Sequence, residues 1–127
     1  MLIVDDNLSM RDALSGFLRS EGLDVVTADN GQDALEKLGL GVRPFVILLD
    51  LMMPVMDGYA FRRQQLRTPD LKDIQVIVFS ASELDAGSVS DCFIGSELLV
   101  KPASPNDVLG VIRRARRATL RSTRGGG

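Results

Sequence analysis

Three aspartates stand at the ends of aliphatic runs: Asp5 and Asp6 follow Leu2-Ile3-Val4, and Asp50 follows Val46-Ile47-Leu48-Leu49. If those runs are neighbouring strands of a parallel sheet, the carboxylates share one edge. Each like-charge pair at ~4 Å is unfavourable by ~1 kcal/mol in water and by several times more when partly buried. A fold keeps such a cluster for a cation or for chemistry, seldom for stability. Two more polar residues end aliphatic runs, Ser80 after Val78-Phe79 and Lys101 after Leu99-Val100. Asp50 is the candidate nucleophile or metal ligand. Asp5 and Asp6 suit a hard cation such as Mg²⁺, which takes oxygen ligands, few protein carboxylates and several waters, with phosphate completing the octahedron. Lys101 brings a mobile point charge to a phosphate oxygen, and Ser80 brings a hydroxyl donor. Such parts fit phosphoryl transfer, where catalysis is mostly positioning and charge neutralisation.

Positioning them requires a regular frame. Five short aliphatic runs recur, Leu2–Val4, Val25–Val26, Phe45–Leu49, Ile74–Phe79 and Leu98–Val100. They are continuous rather than alternating, as in strands covered on both faces. Segments of helical period lie between them. Met10, Leu14, Phe17 and Leu18 predict the first helix, with Ser9 and Asp12 spaced as a capping box. Asn7 either caps that helix or lines the acid pocket. Ala34, Leu35 and Leu38 predict a helix closed by Gly39 and Gly41; Tyr59, Ala60, Phe61 and Leu66 predict another, N-capped by Asp57 and ended before Pro69. Residues 84–93 have weak helical propensity because of Gly87 and several serines. The last helix begins at Ser104 as N-cap, with Pro105 in the first turn and Val108, Leu109, Ile112 and Ala115 on its apolar face. The pattern is (βα)₅. Right-handed crossovers turn it into a doubly wound, three-layer α/β sandwich whose ligands sit beyond the carboxyl ends of the strands.

Composition narrows the chemistry. With 127 residues the chain fits one domain, and at 45% hydrophobic and 5% aromatic its core is aliphatic. It has no histidine, which excludes His-based triads, phosphohistidine and most zinc sites. Cys92 is the single cysteine, so there is no internal disulfide, and a reducing, cytoplasmic compartment is the simplest expectation. No run approaches a membrane span, and the first residues do not resemble a signal peptide. Met52, Met53 and Met56 read as loop anchors and core filler, and Arg62, Arg63 and Arg67 as a solvated helix face.

Four stretches carry a resemblance: Leu2-Ile3-Val4-Asp5-Asp6-Asn7, Leu48 through Gly58 around Asp50, Val78-Phe79-Ser80-Ala81, and Val100-Lys101-Pro102. In this order and spacing, over about residues 1–117, the chain resembles the response-regulator receiver domains of two-component signalling, a CheY-like superfamily. That resemblance implies a flavodoxin-like five-stranded parallel sheet of order 2-1-3-4-5. It implies that Asp50 accepts a phosphoryl group from a histidine kinase or histidine phosphotransfer protein, and that the domain has no separate substrate. It further implies Mg²⁺, or Mn²⁺ in its place, held by Asp6 directly, by Asp5 mainly through water, by Asp50, and by the backbone carbonyl of Met52. Ser80, with Ala81 beside it, and Lys101 would hold the phosphoryl oxygens, and Pro102 would follow a cis peptide. Phosphorylation would draw Ser80 inward and reposition residues 84–93, changing how an output protein binds the face made by the fourth helix, fifth strand and last helix. The chain departs from the family at two places. Leu98 stands at the switch position, where Tyr or Phe is usual, and Ile94 stands where a glycine is usual, with Gly95 following.

The charges are unevenly spread. Residues 1–112 hold nine basic and seventeen acidic groups, a net of −8, whereas Arg113, Arg114, Arg116, Arg117, Arg121 and Arg124 follow with no acid among them. The expected division is a receiver over 1–117 and a basic, disordered tail over 118–127. The arginines read as a solvated helix end suited to the C-terminal dipole. Alternatively they bind nucleic acid, a cyclic dinucleotide or an acidic partner, or form a linker to the rest of a hybrid kinase or transcriptional regulator. A hydrolase working through an aspartyl phosphate is disfavoured, because Asp50-Leu51-Met52 lacks the second acid of an Asp-x-Asp motif.

Overall fold

The computed structural model describes residues 1–80, 93 and 96–125, with side chains as far as residue 118. Its elements are β1 (Leu2–Val4), α1 (Leu8–Ser20), β2 (Val26–Ala28), α2 (Gly31–Gly39), β3 (Val46–Asp50), α3 (Gly58–Arg67), β4 (Gln75–Ser80), β5 (Glu97–Val100) and α4 (Pro105–Gly125). The strands form one parallel sheet in the order β2-β1-β3-β4-β5. The helical segment expected over 84–93 lies outside the described residues apart from Phe93, as do Ala81, Cys92, Ile94 and Gly95.

Alternation along each strand divides the core between the two faces. Ile3, Leu48, Ile77 and Phe79 pack against Leu14 and Leu18 of α1 and Val108 and Ile112 of α4. Leu2, Val4, Ile47, Leu49 and Val78 pack against Ala34 and Leu38 of α2 and Phe61 of α3. Both faces are dry, which explains the uninterrupted aliphatic runs.

Every described helix starts on a side-chain cap. Asn7 Oδ1 accepts from the Met10 amide, Asn30 Oδ1 from Asp33 and Asp57 Oδ1 from Ala60. Ser104 and Asp107 make a reciprocal capping box, each accepting the other's backbone N–H. At α1 the expected capping box of Ser9 and Asp12 is corrected: both lie within the helix, and Asn7 is the cap. α1 ends on Gly22, whose φ of 89° lets the Leu23 amide return to the Leu18 carbonyl at 3.1 Å. In α3 the apolar face is also corrected. Gln65 is fully buried while Leu66 is exposed. The Gln65 amide group donates to the Leu71 and Ile74 carbonyls at 2.9 and 3.0 Å, satisfying a tight turn that an aliphatic residue would leave unpaired. The backbone of α4 passes residue 117 without a break and stays helical to Gly125.

Candidate functional site

Strand register assembles the site. Val4 pairs with Leu49, Asp50 with Phe79 and Ser80 with Val100, so Asp5, Asp50, Ser80 and Lys101 leave the same edge of the sheet. One oxygen from each of Asp5, Asp6 and Asp50 lies within 4.8 Å of the others. Asp5 is 1% exposed and Asp50 6%, while Asp6 faces solvent.

Asp5 is held firmly. Its Oδ1 accepts from the Asn7 amide at 2.9 Å and its Oδ2 from Lys101 Nζ at 2.9 Å. The same ammonium lies 3.7 Å from Asp50 Oδ2 and 4.9 Å from the centre of the Phe79 ring. Asp50 Oδ1 takes a long bond, 3.3 Å, from the Met52 amide. Burial and the neighbouring Asp5 push the Asp50 carboxyl up to about 6, with Asp6 adding to the effect and Lys101 and the Met52 amide opposing it.

The loop after Asp50 is shaped by close approaches. A Cβ on Gly58 would lie 2.5 Å from the Asp50 carbonyl oxygen and 2.9 Å from Leu51 Cα, so only glycine lets α3 begin against the acceptor end of β3. Between them Val55 has φ 68°, a left-handed conformation that is costly for a β-branched residue. Pro102 follows a cis peptide, and the Lys101 amide donates to the Ser80 carbonyl at 2.6 Å. Ser80 is buried at the end of β4. Leu98 is 42% exposed on β5.

Sequence reasoning passed over Arg11. It is buried on α1, donates to the Asp5 carbonyl at 2.9 Å and pairs with Asp29 at 2.6 Å. The signal was present: Arg11, Leu14, Ser15 and Leu18 follow the helical stripe that turned out to be buried. The basic stretch of α4 stands apart from the pocket. Arg114 binds Glu97 at 2.6 Å, Arg113 lies 3.7 Å from Glu21, and Arg116 covers Phe45. Side chains at Arg121 and Arg124 lie outside the described ones.

The donor set fits a divalent cation. Three carboxylates cluster beside one ammonium, which pairs with Asp5 and Asp50; this leaves two negative charges, the charge of one hard divalent ion. The ligands are all oxygen, and the exposed Asp6 leaves a wet side for bound water. No described helix is long and apolar enough to cross a membrane.

The sequence matches the response regulator receiver domain family over residues 1–113. A two-component response regulator of rice (Oryza sativa subsp. japonica), ORR5, is 33% identical over 119 residues, covering 92% of this chain and 88% of its own length. The probable transcriptional regulator ycf27 of Cyanophora paradoxa is 37% identical over 132 residues, covering 97% of this chain but 52% of its own, so the chain spans about half of that relative. The solved structure of the response regulator TrrA of Thermotoga maritima, a complex with Mg(2+)-BeF, aligns with TM-score 0.77 and 25% identity over 90% of this chain and 96% of its own. With a match running from the first strand into the last helix, and a sheet in the order 2-1-3-4-5, this chain belongs to the response regulator receiver domain family.

Proposed function

We propose that this receiver domain is phosphorylated on Asp50 by a histidine kinase or histidine phosphotransfer protein, with Mg²⁺ in the acid pocket. The observation that carries the reading is the uncompensated charge: three carboxylates within 4.8 Å against one shared ammonium. Asp6, exposed and without a protein partner among the described residues, is the direct metal ligand. Asp5, tied to Asn7 and Lys101, acts mainly through water. Asp50 and the Met52 carbonyl complete the protein's share of the sphere. When bound, Mg²⁺ neutralises charge building on the transferred phosphoryl oxygens.

The step is a substitution at phosphorus. An Asp50 oxygen forms the new P–O bond while the donor's P–N bond breaks, and the imidazole nitrogen keeps the electron pair. Asp50 must be ionised to attack, which at neutral pH it mostly is with a carboxyl near 6. Lys101 already bridges Asp5 and Asp50 and needs only a small movement to reach a phosphoryl oxygen. Ser80 and the Ala81 segment complete the oxygen contacts. Like its family, the domain is a signalling module, not a classical enzyme. Its output is a change in how an output protein binds the side of the domain at β5 and α4, with Leu98 in the switch position.

The coverage of about half of ycf27 favours a second reading for the context alone, in which this domain is the receiver portion of a larger regulator. Incubating the chain with Mg²⁺ and acetyl phosphate, then resolving the phosphorylated form on phosphate-affinity gels, tests the chemistry. The wild type should shift and Asp50→Asn should not. A shift that survives the substitution moves the acceptor elsewhere.

A further inference from the structure

The first turns of α1 place an arginine where the core begins. Arg11 is 7% exposed and shares its helix face with Leu14, Ser15 and Leu18. Its Nη1 donates to the Asp5 carbonyl at 2.9 Å and lies 2.6 Å from Asp29 Oδ1. Its Nε is buried and has no hydrogen-bond partner among the described residues. A buried guanidinium with one donor unmet is a poor way to gain stability, since an aliphatic residue fills such a site without that cost. The position calls for another explanation.

Asp5 is fixed at every polar atom. Its amide donates to the Ala28 carbonyl at 3.1 Å, its carboxylate accepts from Asn7 and Lys101, and its carbonyl accepts from Arg11. Asp6 is the opposite case: its carboxylate is exposed and has no protein partner among the described residues. What directs it toward Asp5 and Asp50 is the orientation of the Asp5–Asp6 peptide, and Arg11 holds that peptide by its oxygen. Asp29 in turn holds the guanidinium from the turn between β2 and α2.

We propose that Arg11 is a positioning residue for the cation site, aiming Asp6 by clamping the carbonyl of Asp5. The inference rests on the Mg²⁺ site read above. Charge and position here predict opposite signs. A nearby guanidinium repels a divalent cation, so removing it strengthens Mg²⁺ binding if charge is all it contributes. If it positions Asp6, removing it weakens binding, because groups that orient metal ligands typically control affinity by 10–100-fold.

The test is a Mg²⁺ titration of the full chain, followed by amide shifts of residues 50–52, in the wild type, Arg11→Lys and Arg11→Met, with folding checked by far-UV circular dichroism. Arg11→Met should weaken binding at least tenfold. Arg11→Lys, which keeps the charge but loses the fork, should fall between it and the wild type. In the metal-free proteins, the Asp5 carbonyl carbon and Asp6 amide proton should shift in the same rank order. If Arg11→Met does not fold, Arg11→Lys decides, since unchanged affinity at unchanged charge overturns the proposal. Unchanged or tighter binding in a folded Arg11→Met overturns it too, and so does a variant that loses only thermal stability. A wild type that binds no Mg²⁺ overturns the cation site itself, and the fault is then visible before any variant is read.

Discussion

Asp50→Asn should make the metal-free protein more stable, although it removes the residue proposed to carry the function. The Asp50 carboxyl is pushed from 3.8 up to about 6, chiefly by burial and by Asp5. An acid whose folded pKa lies above its unfolded value favours folding while protonated, and that contribution is lost as pH rises through about 6. At 1.36 kcal/mol per pH unit, the rise corresponds to about 3 kcal/mol lost by the wild type between roughly pH 4 and pH 7. Asparagine has nearly the same shape, keeps an acceptor for the Met52 amide and never ionises. The variant should therefore gain ~2–3 kcal/mol over the wild type at pH 7.5 in EDTA, or ~10 °C in Tm for a chain of this length. Urea unfolding followed by far-UV circular dichroism, at half-unit steps from pH 4.5 to 8, reads this directly. The gap should be small at the acid end, widen through pH 6 and flatten above pH 7, with unchanged m-values. Mg²⁺ at a hundred times its dissociation constant should then return ~2.7 kcal/mol to the wild type and much less to the variant, closing the gap. A wild type as stable as the variant at pH 7.5 in EDTA, or a gap that does not vary with pH, would refute the electrostatic account.

Three further outcomes follow from local geometry. Gly58→Ala puts a methyl group 2.5 Å from the Asp50 carbonyl oxygen; it should cost ~2–3 kcal/mol in urea unfolding and weaken Mg²⁺ binding, because α3 must back away from the acceptor strand. Val55→Gly relieves the left-handed backbone at φ 68°, and since Val55 is 84% exposed little packing is lost; the urea midpoint should rise by an amount equal to ~0.5–1 kcal/mol. Gln65→Leu is isosteric enough to fit but strands the Leu71 and Ile74 carbonyls; calorimetry should show a loss of ~2 kcal/mol, and a neutral result would mean that water replaces the amide.

The frame was legible because its signals are redundant. Each strand is a continuous aliphatic run, each crossover carries helical period, and every run but β2 ends on a polar residue of the acid pocket, so the sheet edge could be named before its geometry was known. Buried polar residues were not legible in the same way. Arg11 and Gln65 occupy positions that helical period assigns to the core, yet polarity alone suggests they face solvent. They are buried because backbone carbonyls wait for them at the end of β1 and in the turn before β4. Those carbonyls exist only once the tertiary fold is formed. The caps Asp57 and Ser104 were legible, but one helix start failed for a related reason: Ser9 and Asp12 satisfy the capping-box spacing, yet Asn7 sits closer to the end of β1 and takes the Met10 amide first.

The charge balance of the acid pocket centres on one shared ammonium. Lys101 stands 2.9 Å from Asp5 and 3.7 Å from Asp50, so it is committed more to the former. On the proposed reading, a cation in the pocket would take over part of Asp5's neutralisation, and an anionic group on Asp50 would draw the ammonium the other way. Both shifts would pull on the same point of the chain, since the Lys101 amide is bonded to the Ser80 carbonyl at 2.6 Å and so joins the ends of β4 and β5. The charge balance at Asp50 would, on that reading, reach β5 by this main-chain link, without requiring an aromatic side chain at position 98. On this account Leu98 would report the state of the pocket by packing alone, because it stands on β5 three residues before that lysine.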